Sequence, residues 1–245
     1  MKILALIPAR MGSSRFPGKP LKKIKNKSMI EIIYNSVEKS REISDTYIAT
    51  CDEEILEHTN LFGGKAVMTA SSHERASDRC AEALLKIEKE KNIVYDIVVM
   101  VQGDEPMVNS MMINQAVSPL INNKNILVSN LLGSIKSKKV FEDKNCIKVV
   151  CDLNFNALYF SRQPIPTINI SKNIKIYKQV CVIPFRRDFL LEYSNLEPTP
   201  LELAESIDMM RVLEHGYKVK MVPTEFESFP VDTPEDLKIV SKFFK

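Results

Sequence analysis

Short apolar runs alternate with helix-like patterns along the first hundred residues of the chain. Ile3–Ile7 and Ile97–Val101 are continuously apolar, as expected for strands that are covered on both faces of a sheet. Between Ile30 and Val37 the apolar residues recur at the i, i+3, i+4, i+7 spacing of one helix face. Further strands are predicted at Thr46–Thr50 and Ala66–Met68, and further helices at Glu53–Phe62 and Ser77–Lys91. This alternation predicts a parallel sheet with right-handed crossovers.

The alternation becomes looser after about residue 122. Strands are predicted at 126–132, 147–151, 157–160 and 177–185 without long helices between them, and helical patterns return at 201–215 and 234–244 around a strand at 218–222. We therefore expect one domain over residues 1–245, with a small antiparallel β lobe at about 126–185. The expected fold class is α/β, with a Rossmann-like, mostly parallel sheet that has helices on both faces.

Composition and charge narrow the class of protein. Hydrophobic residues make up 44% and charged residues 27% of the chain, which is typical of a globular enzyme. The formal net charge of +3 is small, so we expect neither a nucleic acid nor a membrane as a partner. The five cysteines form no C-x-x-C pair, which argues against a zinc site. The N-terminal apolar run is too short for a signal peptide, and we expect a cytoplasmic protein.

The connection after the first predicted strand, Pro8–Pro20, is rich in groups that bind phosphate. It contains two glycines, two serines, two arginines and one lysine. Backbone N–H groups, hydroxyls and cations at the carboxyl end of a strand can hold a triphosphate. The alternative is a flexible basic loop. The connection matches neither the P-loop nor the dinucleotide-binding pattern.

Two aspartates could bind a metal ion in the same crevice. Asp104 follows the most apolar predicted strand and could hold Mg²⁺ against nucleotide phosphates, or it could belong only to an Asp-Glu-Pro turn. Near the C-terminus, Thr233 and Pro234 have the pattern of a helix N-cap and first helical position. That interpretation leaves Asp232 unexplained, and Asp232 could be a second metal ligand. No Ser/His/Asp or Cys/His arrangement is evident, which disfavours hydrolysis through a covalent intermediate.

These segments, in this order, resemble the 3-deoxy-manno-octulosonate (Kdo) cytidylyltransferase family. The resemblance extends from Ile3 to Leu237 and is most specific at Ile7–Leu21, Val101–Met107, Val149–Pro166 and Val231–Leu237. It implies a fold of the nucleotide-diphospho-sugar transferase type and usually a homodimer. It also implies a Mg²⁺-dependent reaction of CTP with Kdo, a 2-keto-3-deoxy sugar acid, which releases pyrophosphate. The product would feed lipopolysaccharide or capsule biosynthesis.

The resemblance also assigns roles by position. The CTP phosphates would be bound by Arg10, Ser13, Arg15 and Lys19. Magnesium would be held by Asp104 and Asp232, which together with Lys19 would form the catalytic set. The sugar-acid or nucleotide pocket would be lined by Arg79, Gln102, Arg162, Gln179 and Glu205. Such a transfer needs positioning and charge neutralisation more than a protein nucleophile.

The departures from the family pattern concentrate on the acceptor side. Gln179 stands where the family usually has a histidine, and Met209 replaces a glutamine. They leave open a cytidylyltransferase for another ulosonic acid, such as 8-amino-Kdo or a nonulosonic acid. A nucleotide-sugar glycosyltransferase would normally show Asp-x-Asp, which the sequence around Asp104 lacks. A catalytically inactive binding protein is the third alternative, and the presence of Lys19, Asp104 and Asp232 argues against it.

Overall fold

The computed structural model of the protein describes residues 1–13, 15–168 and 174–244. Its strands are β1 (Ile3–Ala9), β2 (Lys23–Ile24), β3 (Lys27–Ser28), β4 (Asp45–Thr50), β5 (Ala66–Met68), β6 (Ile97–Val101), β7 (Ser129–Ser134), β8 (Lys148–Cys151), β9 (Ala157–Ser161), β10 (Tyr177–Val180), β11 (Val182–Arg186) and β12 (Lys220–Thr224). Its helices are α1 (Met29–Glu38), α2 (Glu53–Leu61), α3 (Ala76–Lys91), α4 (Ser110–Asn122), α5 (Lys138–Glu142), α6 (Arg187–Ser194), α7 (Pro200–Glu205), α8 (Asp208–Glu214) and α9 (Pro234–Val240).

The main sheet has the order β11-β6-β1-β4-β5, and its strands are parallel except for β11. Side chains of β1 alternate between two cores, because successive residues of a strand point to opposite faces. Leu4 and Leu6 pack with α3 and α6, whereas Ile7 packs with α1 and α4. The predicted parallel sheet with helices on both faces is confirmed. Its parallel order brings the carboxyl ends of β1, β4 and β6 to one edge.

The second sheet has the order β12-β7-β10-β8-β9 and is antiparallel except for the β12–β7 pair. It corresponds to the β lobe predicted at about 126–185, with two differences. The predicted strand at 177–185 is two strands, since the chain crosses at Cys181 from β10 in this sheet to β11 in the main sheet. In addition, β12 joins the sheet from outside the predicted range. Residues 169–173 of that range lie outside the described residues.

The helical pattern predicted at 201–215 is divided into α7 and α8. The division lies at Ser206, which has a positive φ of 53° and ends α7. Glu202 and Arg211 form a buried bidentate ion pair across the break, with both N–O distances 2.7 Å. Helices α4, α5 and α6 were not predicted from the sequence. None of the helices in the described part of the chain has the length and apolar character that crossing a membrane requires.

Candidate active site

A crevice with two adjoining cavities lies at the carboxyl ends of β1 and β6. The cavity beside the Ala9–Lys19 loop, here the loop cavity, has a volume of about 390 Å³. The cavity beside the second sheet, here the lobe cavity, has a volume of about 460 Å³. Both are lined by Arg15, Gln102, Asp104, Ser206, Asp208 and Asp232, which therefore mark the junction of the two cavities. Ligands of open α/β sheets bind at this edge.

Backbone contacts shape the loop after β1. The Met11 carbonyl accepts hydrogen bonds from the Ser13 and Gly18 N–H groups at 2.9 and 3.0 Å, and the Met11 N–H donates to Asp52 Oδ2 at 2.8 Å. Gly103, in the loop after β6, lies so close to the end of β1 that a Cβ atom added to it would be 2.8 Å from the Pro8 carbonyl oxygen. Only glycine fits there, and its small size brings the loop after β6 against the end of β1.

Three residues far apart in sequence meet at the junction of the cavities. The Lys19 ammonium lies 3.0 Å from Asp104 Oδ2 and 3.3 Å from Asp232 Oδ1. The Arg15 guanidinium also reaches Asp232 Oδ1, at 2.9 Å. Burial by itself would lower the pKa of Lys19, but the two carboxylates outweigh it and raise that pKa above its usual value. Lys19 is therefore a fixed cation at the centre of the crevice.

The carboxylate of Asp232 makes contacts that are separate from the capping of the helix that follows it. Thr233 Oγ1 accepts a hydrogen bond from the Asp236 N–H at 3.2 Å, and the Asp236 carboxylate accepts from the Thr233 N–H at 2.9 Å. This capping box confirms the predicted N-cap. The Val231 N–H donates to the Asp104 carbonyl at 2.8 Å, which joins the two aspartate segments. The Asp232 carboxylate takes no part in the capping box and faces Lys19 and Arg15.

The two aspartates fit a magnesium ion. Their oxygens converge on one small cation, the Lys19 ammonium, and carboxylate oxygens are donors that Mg²⁺ prefers. Within residues 1–13, 15–168 and 174–244 no group of three or more His, Cys, Asp or Glu side chains could hold a metal ion. A metal bound here would need further oxygen ligands from substrate or water, as magnesium at nucleotide phosphates commonly does.

The predicted phosphate-binding residues all line the loop cavity. Arg10 is exposed there, and the Ser13 hydroxyl accepts a hydrogen bond from the Phe16 N–H at 3.4 Å. Arg79, which was predicted to bind the sugar acid, also lines the loop cavity and not the lobe cavity. It is 3% exposed, and its guanidinium donates to Thr69 Oγ1 at 2.5 Å. Its place in the fold is therefore on the side predicted for the nucleotide.

Gln179 and Arg162 line the lobe cavity, and Gln102 lines both cavities; their binding of a sugar acid stays a prediction. Gln179 Nε2 donates to Asn130 Oδ1 at 2.6 Å, which fixes the orientation of the Gln179 amide. Asn130 is itself buried and donates to the Val180 carbonyl at 2.7 Å. Gln179 thus presents a neutral, oriented amide where a histidine was expected.

Glu205, which the resemblance assigns to the pocket, and Met209 line neither cavity. The Glu205 carboxylate accepts hydrogen bonds from Ser161 Oγ at 2.9 Å and from the Arg162 N–H at 2.8 Å, and Glu205 lines neither cavity. It fastens the end of α7 to β9. Met209 is fully buried in the core with Phe189, so its replacement of the family's glutamine does not change the lining of either cavity. The first residue of α8, Asp208, lines both cavities instead.

Glu105 was missed by the sequence analysis. It lines the lobe cavity, is 2% exposed, and accepts hydrogen bonds from Ser228 Oγ at 2.5 Å and the Cys181 N–H at 3.2 Å. Burial, and secondarily the charge of Asp104, raise the pKa of Glu105 to about 7. The only sequence feature that could have indicated a role for Glu105 was its position directly after Asp104. The neighbouring residues in the sequence do not show that a glutamate is buried.

We expect Glu105→Gln to change how stability depends on pH. The folded protein keeps a proton that the unfolded chain releases, so the free energy of unfolding falls as the pH rises from about 4.5 to about 7. The variant should lack this contribution. It should be more stable than the wild type at pH 8, by roughly 1–3 kcal/mol, and lose this advantage at pH 4.5. Urea unfolding at several pH values measures this, and parallel pH profiles for the two proteins would contradict it.

Comparison of the sequence with known proteins finds cytidylyltransferases. A family model described as cytidylyltransferase matches residues 4–221. The 3-deoxy-manno-octulosonate cytidylyltransferase of Geobacter metallireducens is 42% identical over 254 residues, covering 99% of this chain and 98% of that protein. The corresponding protein of Fusobacterium nucleatum is 40% identical, covering 100% of this chain and 98% of that protein.

Solved structures give the same result. The structure of CMP:2-keto-3-deoxy-manno-octonic acid synthetase complexed with CTP matches with a TM-score of 0.90 at 33% identity, covering 99% of this chain and 98% of that chain. The 4-diphosphocytidyl-2C-methyl-D-erythritol synthase of Anaerococcus prevotii matches with a TM-score of 0.62 at 14% identity, covering 99% of this chain and 97% of that chain, which shows a shared fold only.

Proposed function

The chain belongs to the family of 3-deoxy-manno-octulosonate (Kdo) cytidylyltransferases, and we propose that it transfers CMP from CTP to Kdo and releases pyrophosphate. The observation that carries this proposal is the meeting of Lys19, Asp104 and Asp232 at the junction of two cavities. One cavity is lined by a basic loop suited to a triphosphate, and the other is large enough for a sugar acid.

The two substrates divide between the cavities. CTP lies in the loop cavity with its phosphates against Arg10, Ser13, Arg15 and Lys19, as this loop's composition and position favour. The sugar acid lies in the lobe cavity, so its anomeric hydroxyl meets the α-phosphate at the junction. The transfer then needs alignment of the two substrates and neutralisation of the charge on the leaving pyrophosphate, and the cations Lys19 and Arg15 supply that neutralisation.

Magnesium is the proposed cofactor, and Asp104 and Asp232 would hold it. When bound, it would neutralise phosphate charge and polarise the phosphate under attack. In the free protein Lys19 and Arg15 balance the two carboxylates. Once the triphosphate draws these cations toward itself, both carboxylates become available to a metal ion. The convergence of the two aspartates on one ammonium supports this assignment.

The acceptor is a 2-keto-3-deoxy sugar acid bound through its carboxylate. Basic side chains that line the lobe cavity are Arg15, Lys139, Arg162 and Lys178. Three of the N–H groups of Arg162 donate to the carbonyls of Glu205, Ser206 and Lys144, at 2.6, 3.1 and 3.2 Å. The guanidinium has five donors, so two remain for a carboxylate. These backbone contacts hold the plane of Arg162 in place before substrate arrives.

We expect Kdo to be the preferred acceptor when pyrophosphate release from CTP is measured with Kdo, 8-amino-Kdo and N-acetylneuraminate under identical conditions. A preference for 8-amino-Kdo would support the alternative that Gln179 raises, because a neutral amide tolerates an ammonium better than a histidinium does. If CTP binds and none of the three acids reacts, Kdo and its relatives are the wrong acceptors.

A homodimer in the cytoplasm also belongs to this proposal. The resemblance supports the assembly. Light scattering on the purified protein should give twice the chain mass of 27.9 kDa. A monomer at micromolar concentration with full activity would contradict the assembly and leave the proposed reaction intact.

A further inference from the structure

We infer that Lys148 and Asn145, which the predictions above do not include, are positioning residues for Arg15. This inference rests on the proposed function, in which Arg15 binds the CTP phosphates. Its basis is a chain of contacts that begins at a buried lysine in the second sheet and ends at the Arg15 guanidinium.

Lys148 is a fully buried cation without a carboxylate partner among the described residues. It is 0% exposed, and its ammonium donates to the carbonyls of Asp143, Cys146 and Arg162 at 2.8, 2.6 and 2.6 Å. These contacts use all three N–H donors of the ammonium. Burying a charge is costly unless it is fully hydrogen-bonded. The arrangement therefore points to a specific task, which is to hold three carbonyls around one centre.

Those carbonyls belong to the turn 143–146 and to Arg162, the residue that follows β9. Within the turn, the Asn145 N–H donates to Asp143 Oδ1 at 2.8 Å, and the Cys146 N–H donates to the Asp143 carbonyl at 3.2 Å. Arg162 adds a bond from its guanidinium to the Lys144 carbonyl at 3.2 Å. Lys148 and Arg162 together fix the turn against the second sheet.

The fixed turn presents Asn145 to the loop after β1. Asn145 Oδ1 accepts a hydrogen bond from Arg15 Nη1 at 2.6 Å, and Arg15 Nη2 contacts Asp232 at 2.9 Å. The Arg15 side chain is 51% exposed, and an exposed arginine is free to adopt many rotamers. Asn145 therefore holds the Arg15 side chain over the crevice, so that much of its rotamer freedom is lost before CTP binds and only its terminal group has to turn from Asp232 to the phosphates.

A double-mutant cycle tests whether Asn145 acts through Arg15. We expect Asn145→Ala to weaken CTP binding about five- to tenfold in calorimetric titration and to raise the KM for CTP with little change in kcat. In the Arg15→Ala background the same substitution should have no further effect, because the group it positions is gone. Asn154→Ala, the same change in an exposed turn outside both cavities, should bind CTP like the wild type.

Lys148→Met keeps the length of the side chain, removes the ammonium, and should weaken CTP binding in the same way. If that variant does not fold, the Asn145 cycle decides alone. Wild-type CTP affinity in Asn145→Ala, or an equal loss with and without Arg15, would overturn the inference. Failure of the wild type to bind CTP would be a different result, since it would overturn the proposed function itself.

Discussion

Asp104→Asn is expected to lower kcat about 1000-fold while the protein remains folded. The substitution removes the charge of one of the two carboxylates that converge on Lys19, and with it a proposed magnesium ligand. A thousandfold loss corresponds to about 4 kcal/mol of transition-state stabilisation, a reasonable share for a metal ion that neutralises phosphate charge. The side chain of Asp104 is partly exposed, so its loss should barely affect the core.

Pyrophosphate release measures kcat, and Mn²⁺ binding followed by electron paramagnetic resonance measures the metal site directly. The control is Asp188→Asn, the same change at a residue that is 90% exposed and lines neither cavity. Asp188→Asn should leave both quantities unchanged. Near-normal turnover and Mn²⁺ binding in Asp104→Asn would remove Asp104 from the metal site.

The fold could be predicted wherever its signal is local. The strand Ile97–Val101 is indicated by a continuous apolar run and the helix face within Ile30–Val37 by its i, i+3, i+4, i+7 spacing, and both are present as predicted. The crossing at Cys181 could not be predicted, because the short apolar run Val180–Ile183 continues through it without a turn residue. Pairing of β11 with β6 and of β10 with β7 determines where the chain changes sheets, and this is long-range information.

The central part of the candidate site could be predicted for a topological reason. Asp104 follows a strand of the parallel sheet, and the basic loop follows its neighbour, so both had to lie at the same edge. The contact of Lys19 with both aspartates could not be derived, since it depends on a segment 213 residues away.

The acceptor side was less predictable, because position in a motif does not tell which way a side chain points. Glu205 bonds to β9, and Met209 points into the core, although both belong to the segment that borders the crevice. One residue along the chain, Asp208 lines both cavities. Successive side chains of a helix differ in direction by about 100°. The break at Ser206, which was not predicted, therefore determines which residues of α8 face the crevice.

Lys19→Met is expected to change metal binding and nucleotide binding in opposite directions. The ammonium lies between Asp104 and Asp232 and offsets their charges, so its removal should tighten Mn²⁺ binding to the nucleotide-free protein several-fold. The triphosphate loses a fixed cation by the same change. CTP binding should weaken about tenfold, and kcat should fall roughly 100-fold, as when one preorganised donor to a developing charge is removed.

The matched control is Lys23→Met, because Lys23 is exposed on the short strand β2 and lines neither cavity. It should reproduce the wild type in all three measurements. A uniform loss of metal binding, CTP binding and thermal stability in Lys19→Met would mean that Lys19 serves only to hold the crevice together. The opposite signs expected for the metal and the nucleotide follow from one arrangement, in which the Lys19 ammonium, together with Arg15, offsets the charge of the carboxylates until the triphosphate binds these cations.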